Sequence, residues 1–272
     1  TNLSIEFVHK LNFSLLIRLR TLDISFIKID TDILKKLIQL KNLENLYMIN
    51  SISNFSLKFL DSFDKLKILD ISGYESLVDY EHITVSSRNL VEFRMLNSNL
   101  TNMIDLFRCT LISQIDLSNN KLIFISRNDF YFNTLIINLD LSQNNISTIE
   151  KGSFDSLIYL SLVNLSYNKL VGSFEHSSDV KLNTIVLDFN EIDSINIENI
   201  RMKNFYMKDN KLSQIPIFDK LYIRHITLDN NNIKKIQSSS FDDFRNLVIL
   251  TLSNNQLEFI DSNSFLDLRW LS

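Results

Sequence analysis

An asparagine returns at nearly regular intervals through the second half of this 272-residue chain. Each one stands in the frame L-x-x-L-x-L-x-x-N-x-L, where Ile, Val, Met or Phe can replace Leu. Successive asparagines lie 24, 24, 22, 20, 21 and 24 residues apart. They are Asn120, Asn144, Asn168, Asn190, Asn210, Asn231 and Asn255. A period of this length is typical of a solenoid, in which each turn packs only on its neighbours and the stack shares one core.

The same apolar spacing extends toward the N-terminus without the asparagine. Its place is taken by Ile27, Ser51, Tyr74 and Ser98. We count about eleven repeats in a single array over residues 1–272, irregular over 1–111 and regular over 112–272. Ile27 and Tyr74 cannot bond as asparagine does, so we expect their turns to be built differently.

The frame has a direct structural meaning. The two apolar residues of L-x-L point to the same side of an extended segment, so stacked repeats form a parallel sheet with one face in the core. The asparagine side chain can then satisfy backbone groups of the turn that follows. Losing it would leave buried polar groups unpaired, at about 1–3 kcal/mol each. We therefore predict a structural asparagine ladder.

A phenylalanine marks the outer side of the longer repeats. Phe13, Phe130, Phe154, Phe241 and Phe265 each lie six residues before the next frame, usually with an apolar residue three positions later. Asn133 is the exception to that second position. The full pattern, N-x-L-x-x-I-x-x-x-x-F-x-x-L-x-x-L, predicts a second apolar spine.

With this pattern the chain resembles leucine-rich repeat proteins of the 24-residue "typical" subtype. Toll-like receptor ectodomains, chaoptin-like adhesion proteins and Slit-like guidance ligands carry that subtype. The resemblance implies an α/β solenoid shaped as a horseshoe. A parallel β-sheet lines its concave face, and short irregular or 3-10 segments form its convex face.

Both ends of the chain fall inside a repeat. The run Phe13-Leu16-Leu19 lacks the start of its repeat, and Phe265-Leu268-Leu271 runs into the final residue. The cysteine-rich caps usual in extracellular members of the family are not visible. We expect an array truncated at both ends; a short protein with degenerate caps is the alternative.

The sequence offers little catalytic chemistry. Cys109 is the single cysteine and falls near a spine position, so we expect a buried thiol and no internal disulfide. The four histidines, at 9, 82, 176 and 225, lack metal-ligand spacing. No nucleophile elbow, phosphate loop or dinucleotide fingerprint occurs. We expect no enzyme activity, cofactor or metal.

Charge and hydropathy limit the partners. The net charge is −4 and no basic stripe is present, so we expect no nucleic acid partner. No apolar run approaches the roughly 18 residues of a membrane span, so membrane attachment would need a segment outside this chain. Six N-x-S/T sequons occur, about the number expected by chance. Two of them are Asn2 and Asn12, and the candidate N-glycosylation sites are Asn54, Asn99, Asn145 and Asn164.

Outward strand positions are the natural binding surface of a solenoid, because its curvature makes a concave face. Asp116 and Asp140, in the common L-D-L-S context, are expected to be plain solvated residues. An unusual apolar and aromatic group spans three adjacent repeats, and we call it the concave patch: Leu162, Tyr167, Val186, Phe189 and Tyr206. Tyrosine is favoured at binding surfaces, and exposed apolar groups often mark them. The alternative is that Leu162 and Phe189 turn inward.

The predicted function is protein recognition. The chain would be the ligand-binding or adhesive segment of a cell-surface receptor-like protein, and its partner a protein ligand or co-receptor. An intracellular scaffold in the cytoplasm, a secreted matrix or guidance ligand, and a repeat domain attached to an enzyme are the alternatives. The shortest repeats, which include the single proline at Pro216, are expected to change the local curvature.

Overall fold

A computed structural model describes residues 5–51, 57–74, 84–176, 182–197, 202–216 and 222–272. Two short helices, α1 (Ile5–Lys10) and α2 (Thr31–Leu37), and two 3-10 segments, Phe13–Leu15 and Leu57–Ser62, lie in the first quarter of the chain. The strands in these ranges are β1 (Thr21–Asp23), β2 (Asn45–Tyr47), β3 (Ile68–Asp70), β4 (Glu92–Arg94), β5 (Gln114–Asp116), β6 (Phe124–Ile125), β7 (Asn138–Asp140), β8 (Thr148–Ile149), β9 (Leu162–Asn164), β10 (Val171–His176), β11 (Thr184–Val186), β12 (Glu191–Ile197), β13 (Asn204–Tyr206), β14 (His225–Thr227), β15 (Lys235–Ile236), β16 (Ile249–Thr251) and β17 (Phe259–Ile260).

One parallel sheet runs the length of the described chain. Its eleven strands follow the order β1-β2-β3-β4-β5-β7-β9-β11-β13-β14-β16, so each repeat adds one strand beside the previous one. Each strand has three residues, and alternation buries the middle one in all but the two end strands β1 and β16, as at Leu139, Val163 and Phe205. The predicted parallel sheet and solenoid fold are confirmed.

The repeated asparagines bond to two turns at once. The Asn144 amide nitrogen donates to Leu141 O of its own repeat at 3.1 Å and to Leu117 O of the preceding repeat at 3.0 Å. Its carbonyl oxygen accepts from the Leu122 N–H of the preceding repeat at 3.0 Å. Every asparagine of the series takes the same role, with the preceding repeat's N–H donors at Leu100, Leu122, Ile146, Leu170, Ile192, Leu212 and Ile233.

Serine takes part of this role in the irregular repeats. The Ser51 hydroxyl donates to Ile24 O at 2.7 Å and accepts from Ile27 N–H at 3.3 Å. The Ser98 hydroxyl accepts from Tyr74 N–H at 3.1 Å. The side chains of Ile27 and Tyr74 are buried in the apolar core instead, so each of these turns is closed by the serine of the next repeat.

The outer phenylalanines form part of the core. Phe13, Phe130, Phe154 and Phe241 are buried, and the rings of Phe130 and Phe154 stack 6.2 Å apart. Phe265 is 38% exposed, although it stacks on Phe241 with a ring distance of 5.6 Å.

Asn133 departs from the apolar pattern because it makes bonds that an apolar residue could not. It is 1% exposed, and its amide donates to the carbonyls of Leu106 at 3.0 Å and Cys109 at 3.1 Å. The Cys109 thiol is buried and donates to Val85 O at 3.1 Å.

The outer side changes character in the short repeats. There β10 and β12 pair in parallel, with a register shift between Gly172 and Ser173. Shorter two-residue pairs, β6 with β8 and β15 with β17, occupy the corresponding place in longer repeats. A groove of about 260 Å³ opens between β8 and β10, over the buried side chains of Phe174 and Ile192. Of the described helices, none has the length and apolar character of a membrane span.

Candidate functional site

Three residues of the concave patch lie on neighbouring strands of the main sheet. Val186 on β11 stands opposite Asn164 on β9 and Tyr206 on β13. Leu162 begins β9 and is paired with Thr184. Leu162, Val186 and Tyr206 are half-buried and flank the buried middle residue of their strands, so their side chains share the outward face.

The other two residues lie at the edge of this face, three residues beyond the ends of β9 and β11. The rings of Tyr167 and Phe189 stack with centroids 4.1 Å apart and planes 13° apart. Tyr167 is 51% exposed and Phe189 is half-buried. Phe189 therefore does not turn inward, and the structure brings these two rings into direct contact.

The backbone at both rings is left-handed. Tyr167 has φ of 55° and Phe189 has φ of 56°. The same conformation recurs in every turn of the described sheet, always at the residue before the ladder position. Eight of these eleven positions hold Asn, Asp, Gln or Gly: Asn50, Gly73, Asn97, Asn119, Gln143, Asp209, Asn230 and Asn254. Aromatic residues occur there at Phe26, Tyr167 and Phe189.

Charged groups border the aromatic pair on one side. The Lys208 ammonium lies 4.8 Å from the centroid of the Phe189 ring, which continues the stack begun by Tyr167. Asp188 accepts the Lys208 backbone N–H at 2.8 Å. Burial raises the pKa of the Asp188 carboxyl above its usual range, although that hydrogen bond and the lysine charge act in the opposite direction.

The aspartates of the strand ends are structural. Asp116 accepts from the hydroxyl of Ser118 at 2.7 Å, and Asp140 from that of Ser142 at 2.6 Å. Each also accepts the backbone N–H of the same serine. Both aspartates are half-buried, so the expectation that they are plain solvated residues is wrong: they close the turn after the strand.

The sequons differ in accessibility. Asn99 is exposed and Asn145 is half-buried. They immediately follow the ladder positions Ser98 and Asn144, respectively. Asn164 is half-buried; its amide donates to Asp140 at 3.1 Å, and its oxygen accepts from Ser166. Asn12 accepts from Ser14 N–H at the start of a 3-10 segment. Asn2 and Asn54 lie outside the described residues.

Titratable clusters are sparse in the described part of the chain. There, no group of three or more His, Cys, Asp or Glu side chains is placed to hold a metal ion. His9 lies 2.9 Å from Asp30, the residue that caps α2. His225 is half-buried at the start of β14, and His82 lies outside the described residues. The positive φ at the residue before each ladder position was not predicted from the sequence, although repeated Asn-Asn and Asp-Asn pairs mark several of these positions.

A family model described as "Leucine rich repeat" matches residues 110–170 and 222–272. No curated protein sequence matches the chain. Among solved structures, the chain is similar to one in the Drosophila Toll–Spatzle complex, with a TM-score of 0.65 and 18% identity. That match covers 88% of this chain and 36% of the other, so this chain spans little more than a third of its length.

Two further structures have the same fold. The ectodomain of the Arabidopsis thaliana receptor kinase GASSHO1/SCHENGEN3, in complex with CASPARIAN STRIP INTEGRITY FACTOR 2, matches with a TM-score of 0.65 and 19% identity, covering 89% of this chain and 32% of the other. The TLR13–ssRNA13 complex matches with a TM-score of 0.59 and 18% identity, covering 96% and 43%. These identities establish a shared fold and no more.

Proposed function

We propose that this chain, a leucine-rich repeat protein, binds a protein partner through the concave patch, as the recognition or adhesion segment of a cell-surface receptor-like protein. One observation carries the proposal. Two adjacent repeats place stacked aromatic rings, Tyr167 and Phe189, on left-handed backbone at the edge of the concave face.

That arrangement is costly for folding alone. Left-handed backbone costs an L-residue roughly 1–2 kcal/mol, and bulky residues adopt it rarely. The ring stack offsets about 0.5–1.5 kcal/mol of this. Most other repeats place Asn, Asp or Gly at the same position, where the conformation is tolerated well. Every repeat adopts this backbone conformation, so the extra cost comes from placing bulky aromatic residues in it, and such strained positions tend to occur at binding sites.

The surface chemistry favours a protein over a polyanion. Val186 and Tyr206 provide apolar and aromatic area on the strands, while Asp140 and Asp188 place acidic groups beside them. A nucleic acid binds mainly through cationic side chains that contact its phosphates, and this face offers few of them. A partner segment with apolar side chains would bury the patch. A lysine or arginine on the partner would meet the carboxylates.

The cell-surface setting is the part of the proposal supported by likeness. One of the similar structures is the Toll–Spatzle complex, and another is the leucine-rich repeat ectodomain of GASSHO1/SCHENGEN3 in complex with CASPARIAN STRIP INTEGRITY FACTOR 2. Exposed Asn99 is compatible with a glycoprotein. Reading the full-length transcript outward from both ends tests this setting. A signal peptide and a downstream apolar span would support it, whereas direct start and stop codons would favour a cytoplasmic scaffold.

Binding itself is tested with paired variants against an array of extracellular proteins. The double variant Tyr206→Ala/Val186→Ser removes area from the strands without touching the buried middle residues. A hot-spot residue at the centre of an interface contributes about 2 kcal/mol, so if at least one of the two is a hot spot, affinity should fall about thirtyfold or more.

Phe124→Ala is the matched control, since Phe124 is 46% exposed on the outer side of the solenoid. It should bind as the wild type does, and all three proteins should melt at closely similar temperatures. Undiminished affinity in the double variant would dismiss the concave patch as the binding site.

A further inference from the structure

A second surface differs from the rest of the solenoid by its lack of charge. The five residues before a strand of the main sheet include a charged residue in eight of the eleven turns. In the turns before β5, β7 and β9 they include none: the segments read CTLIS, NTLII and LIYLS. These three turns are consecutive, so the uncharged segments stack side by side.

Large side chains in and beside these segments face solvent. Six of them, each between 43% and 60% exposed, form what we call the flank patch: Leu111, Tyr131, Phe132, Ile137, Ile158 and Tyr159. The patch lies on the side of the solenoid where the chain enters the strands. The concave patch lies along the strands and beyond their ends.

Direct bonds hold the three turns together under the flank patch. The Ile137 N–H donates to Ser113 O at 2.8 Å, and the Ser161 N–H donates to Ile137 O at 2.8 Å. The Ser156 hydroxyl donates to Phe130 O at 3.1 Å. Within the patch, the rings of Tyr131 and Phe132 meet edge to face with centroids 5.1 Å apart. The six side chains therefore belong to one continuous surface with a fixed backbone.

The area of the flank patch approaches what a stable interface needs. Six side chains of this size at about half exposure present roughly 500–600 Å². That lies at the upper end of the largest apolar patches on monomeric proteins, roughly 300–600 Å². A standard interface buries roughly 800 Å² per partner, so polar residues around the patch would supply the remaining area. Loss of charge at the centre is also the compositional mark of an interface core.

We propose that the flank patch is the interface of a homodimer, in which two copies of this chain pack flank to flank about a two-fold axis. A two-fold interface sets the same patch against itself, so any charge near the axis would meet its own copy. The uncharged segments contribute no such charge, and the exposed charged residues nearest them, Arg108 and Asp155, lie one and two residues outside two of the segments. The neighbouring amides of Gln114 and Asn138 can both donate and accept, so they suit a self-complementary rim.

Sedimentation of the purified chain at micromolar concentration tests the proposal. The wild type should sediment at twice the 31.8 kDa mass of one chain. The double variant Phe132→Asp/Tyr159→Asp should sediment as a monomer, because it sets like charges against each other across the axis. Phe124→Asp, which adds the same charge on the outer side of one of these turns, should remain a dimer. The concave variant Tyr206→Ala/Val186→Ser should also remain a dimer.

Several outcomes would overturn the proposal. The wild type could be monomeric throughout the micromolar range, or the dimer could persist in Phe132→Asp/Tyr159→Asp. It is also refuted if Trp270→Asp, at another exposed apolar side chain, dissociates the dimer and the flank variant does not. The milder Phe132→Ser/Tyr159→Ser variant guards against misfolding: with an unchanged circular dichroism spectrum, it should still weaken the dimer.

Discussion

Replacing Asn144 by alanine tests whether the asparagine series holds the repeats together. The side chain is 7% exposed and serves both its own turn and the preceding one. When this side chain is lost, two of the carbonyl groups that it bonds keep another hydrogen-bond donor, whereas the N–H group loses its side-chain acceptor. Leu117 O still accepts from Asn120 at 2.9 Å, and Leu141 O still accepts from Asn168 at 3.0 Å. The Leu122 N–H, in a fully buried residue, loses the side-chain acceptor 3.0 Å away.

The magnitude follows from that asymmetry. An unpaired buried N–H costs about 1–3 kcal/mol, and the weakened carbonyl bonds add a smaller amount. We expect Asn144→Ala to lower the free energy of unfolding by about 2–3 kcal/mol, or roughly 5 °C in melting temperature. Gln143→Ala, at the exposed neighbour, should change it by no more than about 0.5 kcal/mol.

Urea unfolding followed by circular dichroism measures both variants, and hydrogen exchange reports on the Leu122 amide directly. That amide should lose protection in Asn144→Ala and keep it in Gln143→Ala. Asn144→Asp separates the two roles, because it keeps an acceptor for Leu122 N–H but turns an anionic oxygen toward carbonyls. It should be at least as destabilising as alanine. Equal losses of stability in Asn144→Ala and Gln143→Ala would refute the reasoning.

Two further predictions concern titratable groups whose pKa is raised by burial. Burial raises the pKa of Asp188 in the folded protein above its usual value of 3.8, so protonation of this carboxyl favours the folded state. Its contribution to the free energy of unfolding is complete below pH 3.8. The contribution disappears as the pH rises through the raised pKa of the folded protein. Asp188→Asn, which still accepts the Lys208 N–H, should therefore be the more stable protein at neutral pH, and a gap that widens on acidification would contradict this. Burial also raises the pKa of the Cys109 thiol to about 12, so alkylation by iodoacetamide should proceed only as fast as the protein unfolds. Rapid labelling under native conditions would show that this part of the core opens locally.

The main sheet could be predicted because its cause is local. In each frame the apolar residues recur at positions that alternate along a strand, so the buried residue, such as Leu139, and its outward neighbours follow from the pattern. The confirmed fold rests on this periodicity. The division of the chain into one array over 1–272 stays a prediction.

The details of the concave patch could not be predicted in the same way. Intrinsic preference argues against positive φ at Tyr167 and Phe189, and stacking of the repeats overrides that preference. The paired outer strands β10 and β12 were also missed, because the short repeats carry no turn motif that specifies them. The prediction for Asp116 and Asp140 is wrong because the serine two residues after each aspartate donates to its carboxylate and closes the turn.

The asparagine bonds also have a direction along the chain. Each side chain accepts an N–H from the turn made before it, as Asn144 does from Leu122 and Asn168 does from Ile146. During synthesis the N-terminal turns leave the ribosome first. The backbone N–H of each newly made turn therefore lacks its hydrogen-bond acceptor until the next turn emerges and supplies the asparagine oxygen. Folding of this chain should advance about one turn behind its own translation, and a pause within a repeat would expose the turn just completed.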